Sequence, residues 1–233
     1  LDGTLMQKIA AENNLAETAF LVNAEGIYQV RWFSPLKEIA FCGHATLASA
    51  YVLFQKNSEL NEVQLYAEAV GMMTVSRKAD GYIEMDFPNR KPESVENIPQ
   101  ALLAGLSIKP AKVLKNNQAY IAVYNCALEV LNVEQDTARL KTLAPLDVAV
   151  TAPSDEYDFC SRYFWPANGG AEDSVTGSIH AGLAPYWAEQ LGRNELVAYQ
   201  ASHRGGVLKC RVENERVYIS GQAVSYLSGH ITV

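Results

Sequence analysis

The sequence lacks the features of several large protein classes. No apolar run among its 233 residues approaches the roughly 20 residues that a membrane-spanning helix needs. Low-complexity tracts and heptad repeats are also missing. Lys and Arg are scattered rather than clustered, and the net charge is −7. We therefore expect neither a membrane nor a nucleic acid as the partner. The glycine pairs at 169–170 and 205–206 do not form a G-x-G-x-x-G loop, which argues against a nucleotide site.

Cysteine is scarce as well. Cys42, Cys126, Cys160 and Cys210 lie far apart and form no C-x-x-C pair or metal-spaced cluster. This pattern predicts reduced thiols in a cytoplasmic protein, without a structural zinc. The chain begins at Leu1 in the approach to a helix. We therefore expect a preceding segment, so the missing signal peptide is weak evidence about location.

What the sequence does contain is an internal repeat. Arg31-Trp32-Phe33-Ser34-Pro35 recurs as Arg162-Tyr163-Phe164-Trp165-Pro166, an offset of 131 residues. Each copy leads to a glycine-headed helix start, at Gly43 and at Gly177, and Gly71 and Gly206 each begin a strand-like pair. A duplicated chain predicts two similar halves that face each other across a cleft. We place them at residues 1–98 and 99–233, divided in a segment rich in Pro, Asn and charge, with the last strand crossing to the first domain.

Hydrophobic periodicity predicts the elements. Helices are expected at residues 3–13, 44–56, 99–105, 136–143 and 178–190. Strands are expected between these helices and after the last one, including residues 129–133 and 226–233. The predicted class is α+β, with two pseudo-symmetric domains that each wrap a mostly antiparallel sheet around a central helix.

The two helix starts hold candidate binding residues. A single glycine between a strand and a helix most often serves a tight turn that needs a positive φ. Two symmetry-related helix N-termini, Gly43 and Gly177, would instead present a pair of amide nests suited to a carboxylate or a developing enolate. Ser178 is either a cap or a donor to the substrate, and the residues leave both interpretations open.

Three other residues are candidates for acid–base chemistry. His44 lies in the first turn of its helix, where a neutral imidazole is favoured and can relay protons, unless its role is structural. Asp173, which follows Glu172, either complements the helix dipole or assists His44 across the cleft. Glu17 begins a strand and is by default a surface residue. If it faces the cleft, it suits general acid–base work.

Cys42 raises the question of thiol catalysis. A thiol beside a helix N-terminus has a lowered pKa and can abstract protons. A two-base racemase needs a second thiol in the other half, but the equivalent residue there is Thr176. A two-thiol mechanism is therefore disfavoured. Glu17 likewise has no acidic counterpart that can be aligned in the second half, so the sequence points to one working carboxylate.

With these residues identified, the chain resembles the PhzF family, the phenazine biosynthesis-like proteins that share the diaminopimelate epimerase fold. The resemblance covers essentially the whole chain. Its motifs are the stretches at 6–20, 31–35, 42–48, 162–164, 172–173 with 175–178, and 200 with 202–206. Two departures stand out: the family's opening strand with its Phe-x-Gly-Asn-Pro segment is missing, and Ser174 replaces the usual Pro.

The resemblance implies a homodimeric, cofactor-free isomerase without a metal, acting on a small carboxylate substrate. In the phenazine enzyme, a glutamate moves a proton on a dihydro-hydroxyanthranilate, and Glu17 occupies that glutamate's position. The resemblance makes His44 and Asp173 its catalytic partners and gives Gly43, Gly177 and Ser178 substrate-side roles. Two alternatives stay open: an amino-acid epimerase or racemase acting through Cys42, and a catalytically silent protein that binds a small acid or a protein partner.

Overall fold

The structure is a computed structural model that describes residues 1–232. Its contacts divide the chain into two compact units. The first comprises residues 1–86 together with those from 220 onward, and the second comprises residues 87–219. The composition change predicts a division after residue 98, within the polar segment, whereas the compact units divide at residues 86/87, before that segment.

The first unit combines helices on one short sheet. Its elements are α1 (Gly3–Asn13), β1 (Thr18–Ala24), β2 (Ile27–Phe33), β3 (Glu38–Ile39), α2 (Gly43–Lys56), β4 (Glu62–Ala67), β5 (Gly71–Arg77) and β6 (Ile83–Pro88). The strand order is β1-β2-β4-β5-β6, with β3 also paired to β2. The β2–β4 pair is parallel, and the other pairs of this series are antiparallel.

Helix α1 shows how local sequence sets these boundaries. Asp2 caps its start, since the side chain accepts a hydrogen bond from Leu5 N at 2.8 Å. The helix ends at Asn14, whose left-handed backbone (φ 48°) lets its N–H bond to Ala10 O. The buried Met6 and Ala10 pack with Phe33 in a small core. The predicted helix at 3–13 is confirmed.

The second unit is built around a longer sheet. Its elements are β7 (Glu93–Ser94), α3 (Gln100–Ala104), β8 (Lys112–Lys115), β9 (Ala119–Val123), α4 (Ala127–Asn132), α5 (Thr137–Leu140) with a 3₁₀ turn (Lys141–Leu143), β10 (Asp147–Pro153), β11 (Phe159–Trp165), β12 (Gly170–Asp173), α6 (Gly177–Leu191), β13 (Glu195–Gln200), β14 (Gly206–Glu213) and β15 (Arg216–Gly221). The strand order is β15-β14-β13-β11-β10-β9-β8-β7, with β12 also paired to β11.

Helix α6 is the central helix of this unit. Every residue from Ala181 to Ala188 is buried, as expected for a helix that is apolar all round. Pro185 lies within it and cannot donate a backbone hydrogen bond to Ala181 O. Arg90 N donates to that carbonyl instead, at 3.0 Å, so the proline leaves no buried oxygen unsatisfied.

The repeat predicted from the sequence is visible in the strand pairing of each unit. Strand β2 has an antiparallel partner before it in the chain and a parallel partner after α2, and β11 has the same pattern around α6. Phe33 pairs with Glu38, and Phe164 pairs with Glu172. Two residues before each phenylalanine, the repeated arginine binds that same glutamate through two side-chain hydrogen bonds.

Two predicted strands are wrong. Residues 129–133 lie largely in helix α4, because the Glu129 carboxylate accepts from Asn125 N and Cys126 N and so caps a helix start. That local cap overrides the strand preference of the valines at 130 and 133. Residues 226–232 form no strand, and Tyr226 and Leu227 are almost fully exposed, so nothing packs against them. Val233, the last residue of that prediction, lies outside the described residues.

Four short strands, β3, β7, β8 and β12, were not predicted, because two to four residues are too few to show a period. Within residues 1–232, none of the helices combines the length and the apolar composition needed to cross a bilayer.

Candidate active site

The first candidate site lies at the start of α2. Cys42 precedes the helix in an extended conformation (φ −140°, ψ 112°). Its carbonyl accepts from both Thr46 N at 3.0 Å and Thr46 Oγ1 at 2.6 Å. These two hydrogen bonds fix the backbone that carries Cys42, Gly43 and His44. Gly43 is the first helical residue and has no positive φ, so the tight-turn interpretation of this glycine is wrong.

Glu17 reaches His44 within this unit. It follows the left-handed Asn14 that ends α1 and directly precedes β1. Its Oε2 lies 2.8 Å from His44 Nε2, and the Glu17 side chain is 5% exposed against 33% for His44. The contact is close but poorly directed, so Glu17 Oε2 has no hydrogen-bond partner among the described residues. Glu17 is therefore a buried carboxylate beside an imidazole, and the default surface interpretation is wrong.

Cys42 completes a cluster of three reactive groups. Its Sγ lies 3.6 Å from both ring nitrogens of His44. Burial raises the pKa of the Cys42 thiol, and the contact with His44 opposes this only in part. The lowered pKa expected beside a helix N-terminus is therefore wrong, because desolvation outweighs the helix field. A thiol that keeps its proton is a weak base, which disfavours catalysis through Cys42.

The second candidate site lies at the start of α6 and is organised by Gln200. This side chain is fully buried. Its Oε1 accepts from Thr176 N at 2.7 Å, and its Nε2 donates to Asp173 O at 2.9 Å. Thr176 Oγ1 donates in turn to Asp173 Oδ2 at 2.5 Å. Asp173 is thus held at the end of β12 by its neighbour Thr176, and Gly177 begins the helix, again without a positive φ.

Ser178 belongs to a chain of side-chain hydrogen bonds in the same unit. Gln118 Nε2 donates to Ser178 Oγ at 2.9 Å and to Tyr163 Oη at 3.1 Å. Tyr163 Oη donates to Asp147 Oδ2 at 2.7 Å, and Asn168 Nδ2 donates to Asp147 Oδ1 at 2.9 Å. The Ser178 oxygen therefore accepts from within the protein, which leaves its hydroxyl hydrogen available to a substrate oxygen.

Asp147 corrects a conclusion drawn from the sequence. Thr18 pairs with Phe33 and Val148 pairs with Phe164, so Glu17 and Asp147 stand at the same position of the repeat. Glu17 therefore does have an acidic counterpart. The sequence comparison missed it because the two carboxylates are 130 residues apart, whereas the motif offsets are 131 and 134. Burial raises the pKa of Asp147, although its two hydrogen bonds oppose the shift.

A buried histidine is hydrogen-bonded to the backbone at the start of α6. His180 is fully buried, its Nδ1 donates to Thr176 O at 2.8 Å, and its Nε2 lies 3.5 Å from Ser161 Oγ. Burial lowers the pKa of His180 to about 4, so the ring is neutral at pH 7. Sequence reasoning missed Gln118, Tyr163, Asp147 and His180, because only the folded chain brings them to the helix start.

Comparison with known proteins identifies the relatives of this chain. The family model described as phenazine biosynthesis-like protein, PhzC-PhzF, matches residues 1–229. An uncharacterized isomerase of Pseudomonas aeruginosa is 47% identical over 98% of this chain and 87% of its own length. An uncharacterized isomerase of Halalkalibacterium halodurans is 40% identical over 99% of this chain and 88% of its own.

A solved structure gives the same result. The crystal structure of a PhzF-family phenazine biosynthesis protein from Enterococcus faecalis superposes with a TM-score of 0.95 at 39% identity, covering 100% of this chain and 89% of that one. The predicted diaminopimelate epimerase-like α+β fold is thereby confirmed. The names of the two sequence relatives support an isomerase activity in this family.

Proposed function

Because the chain belongs to the PhzF family of phenazine biosynthesis-like proteins, we propose that it is an isomerase that moves a proton within a small cyclic or unsaturated carboxylic acid. Glu17 is its general acid/base, and no cofactor takes part. The observation that carries this proposal is the buried Glu17 carboxylate, 2.8 Å from His44 Nε2. The names of the relatives support the reaction class.

The proposed chemistry uses one carboxylate twice. Glu17 in its ionised form takes a proton from a carbon of the substrate and returns it at another carbon of the same conjugated system. His44 is suited to hold the carboxylate in place and to share the proton during transfer, since its ring nitrogen is already within hydrogen-bond distance.

The substrate-binding roles are assigned to the two helix starts. Backbone amides at the N-termini of α2 and α6, next to Gly43 and Gly177, attract an anion such as a substrate carboxylate. Ser178 offers its hydroxyl hydrogen because Gln118 already donates to its oxygen. Asp173, fixed by Thr176 and Gln200, is proposed to assist proton transfer. The homodimer and the cytoplasmic location remain predictions.

The test is deuterium uptake from heavy water into a dihydro-hydroxyanthranilate and a panel of related cyclic and unsaturated acids, followed by mass spectrometry. Glu17→Gln keeps the size of the side chain but removes the base, so uptake should fall by at least about 1000-fold. Glu12→Gln, an exposed position in α1, is the matched control and should retain the wild-type rate. Undiminished exchange in Glu17→Gln would refute the assignment, provided that circular dichroism shows a folded variant.

Two alternatives make different predictions. An epimerase acting through Cys42 requires a reactive thiol and should be inactivated by alkylation. However, Cys42 is buried and its pKa is raised, and the equivalent residue of the repeat is Thr176 instead of a second cysteine. A silent binding protein should bind an acid from the panel, detected as a thermal shift, without turnover or exchange. Neither alternative accounts for the proximity of Glu17 and His44 as directly as the isomerase.

A further inference from the structure

The first candidate site contains a third reactive group, Cys42, that its proposed chemistry does not use. Glu17, Cys42 and His44 offer a carboxylate oxygen, a sulfur and an imidazole nitrogen, all within 4.8 Å of one another. These are the three ligand types that zinc-like divalent cations bind in proteins. Cys42 is not required for proton transfer by Glu17, so its sulfur calls for a separate account.

The sulfur–nitrogen distance in this cluster is compatible with a bridging metal ion, whereas the carboxylate–imidazole distance is a hydrogen-bond length. Typical Zn–S and Zn–N bond lengths, at a tetrahedral angle, place the two ligand atoms about 3.6 Å apart. Cys42 Sγ lies 3.6 Å from each ring nitrogen of His44. The Glu17 Oε2 to His44 Nε2 distance of 2.8 Å would have to widen to about 3.4 Å around the ion, a shift within the reach of two side-chain rotations.

The buried carboxylate of Glu17 would be stabilised by a positive charge. The Glu17 side chain is 5% exposed, and its Oε2 has no hydrogen-bond partner among the described residues. A buried carboxylate without a directed donor is costly, and a divalent cation would satisfy it together with a thiolate. The opposing factor is the N-terminus of α2, whose dipole disfavours a cation. His44 is 33% exposed, so an ion can enter from solvent at its side of the cluster.

We propose that Glu17, Cys42 and His44 form a binding site for a zinc-like divalent cation, with the fourth position open to water, and that this ion inhibits the protein. On binding, Cys42 gives up its proton to solvent and its sulfur bonds to the metal. The metal also occupies the Glu17 oxygen that would otherwise accept the substrate proton. The inhibitory consequence rests on the proposed function, whereas the binding itself does not.

Binding is tested on the full chain with Co²⁺ as a spectroscopic probe. Wild-type protein should show an intense thiolate-to-cobalt absorption band that saturates at one ion per chain and disappears when Zn²⁺ is added. Cys42→Ser should abolish the band, and both His44→Gln and Glu17→Gln should weaken Zn²⁺ binding at least tenfold in competition with a fluorescent chelator. Cys126→Ser is the matched control, because Cys126 is exposed and lies at the start of α4, and it should bind like wild type.

The outcomes separate the two proposals. A missing thiolate band in folded wild-type protein, or a band that survives in Cys42→Ser, overturns the metal site whatever the activity. If the band behaves as expected and deuterium exchange is measurable, Zn²⁺ should lower the exchange rate of wild type at least tenfold at saturation. Exchange that is unaffected by bound Zn²⁺ overturns the inhibitory role, and exchange that survives Glu17→Gln overturns the proposed function.

Discussion

The starts of α2 and α6 have the same backbone conformation but carry different side chains. In both, the residue before the first glycine is extended, and its carbonyl accepts from the side chain four residues later, Thr46 in one case and His180 in the other. The groups that this backbone carries differ. The first start gathers a thiol, an imidazole and a carboxylate, whereas the second gathers hydroxyls, amides and two carboxylates.

The two units also differ in how the carboxylate at the equivalent position of the repeat is hydrogen-bonded. At the first start, Glu17 has no directed hydrogen bond among the described residues, so its oxygen is open to a proton or a cation. At the second, Asp147 in the corresponding position accepts from Tyr163 and Asn168 and is occupied by the protein itself. The same place in the repeat thus holds a carboxylate without a directed hydrogen bond in one unit and a hydrogen-bonded carboxylate in the other.

The largest expected effect comes from the repeated arginines. Arg162 forms a bidentate ion pair with Glu172 and donates to Val133 O at 2.8 Å. The Arg162 side chain is 16% exposed. Arg31 has the same kind of bond to Glu38 but is 43% exposed. Arg162→Met should cost about 4 kcal/mol, since it strands a partly buried carboxylate and several carbonyls, whereas Arg31→Met should cost under about 1 kcal/mol.

Urea unfolding of both variants measures this difference. Equal losses would contradict the conclusion that the second arginine is structural and the first is peripheral. A double variant should lose the sum of the two costs, because each arginine acts within its own unit.

An intermediate effect on the free energy of unfolding is expected from His180 and Thr46, the side chains that bond to the carbonyls at the two helix starts. Because the pKa of His180 is lowered to about 4, the unfolded chain binds this proton below about pH 6.5 and the folded chain does not. Stability from this group is therefore complete above pH 6.5 and is lost as the pH falls towards 4, by about 3 kcal/mol. His180→Asn retains a donor for Thr176 O and should remove that slope.

The matched variant is Thr46→Val, which deletes the corresponding bond to Cys42 O without a titrating group. It should lose about 1 kcal/mol equally at every pH. Unfolding free energies between pH 4 and pH 7 distinguish the two, and an unchanged slope in His180→Asn would show that the histidine is not the titrating group.

The smallest effect is expected at Asp147. Burial raises its pKa, so the folded state holds this proton to a higher pH than the unfolded state does. Its contribution therefore decreases as the pH rises from the unfolded to the folded pKa, opposite in sign to that of His180. Asp147→Asn should remove this decrease, while the exposed Asp155→Asn should not, as measured by the same unfolding series. A decrease that is undiminished in Asp147→Asn would contradict the assignment.

Much of the fold could be predicted because the relevant signals are local. Asp2 and Asn14 mark the ends of α1, and the apolar period between them defines the helix. The prediction fails where a signal is short or is overridden, as at α4, where the Glu129 cap outweighs two valines. Among the candidate residues, Glu17 and His44 are adjacent in the structure, as a shared role requires, but their close contact was not predictable from a spacing of 27 residues.

The sequence by itself determined the α+β class, the duplication and the family, because these depend on periodicity and on motifs that are contiguous in the chain. Tertiary structure alone decided which groups meet: the carboxylate, thiol and imidazole in one unit, and the Gln200 and Gln118 networks in the other. It also decided that the pKa of Cys42 is raised and that Asp147 is the counterpart of Glu17 in the repeat. The physical reason is that burial and strand register are properties of the packed chain, and residue spacing does not encode them.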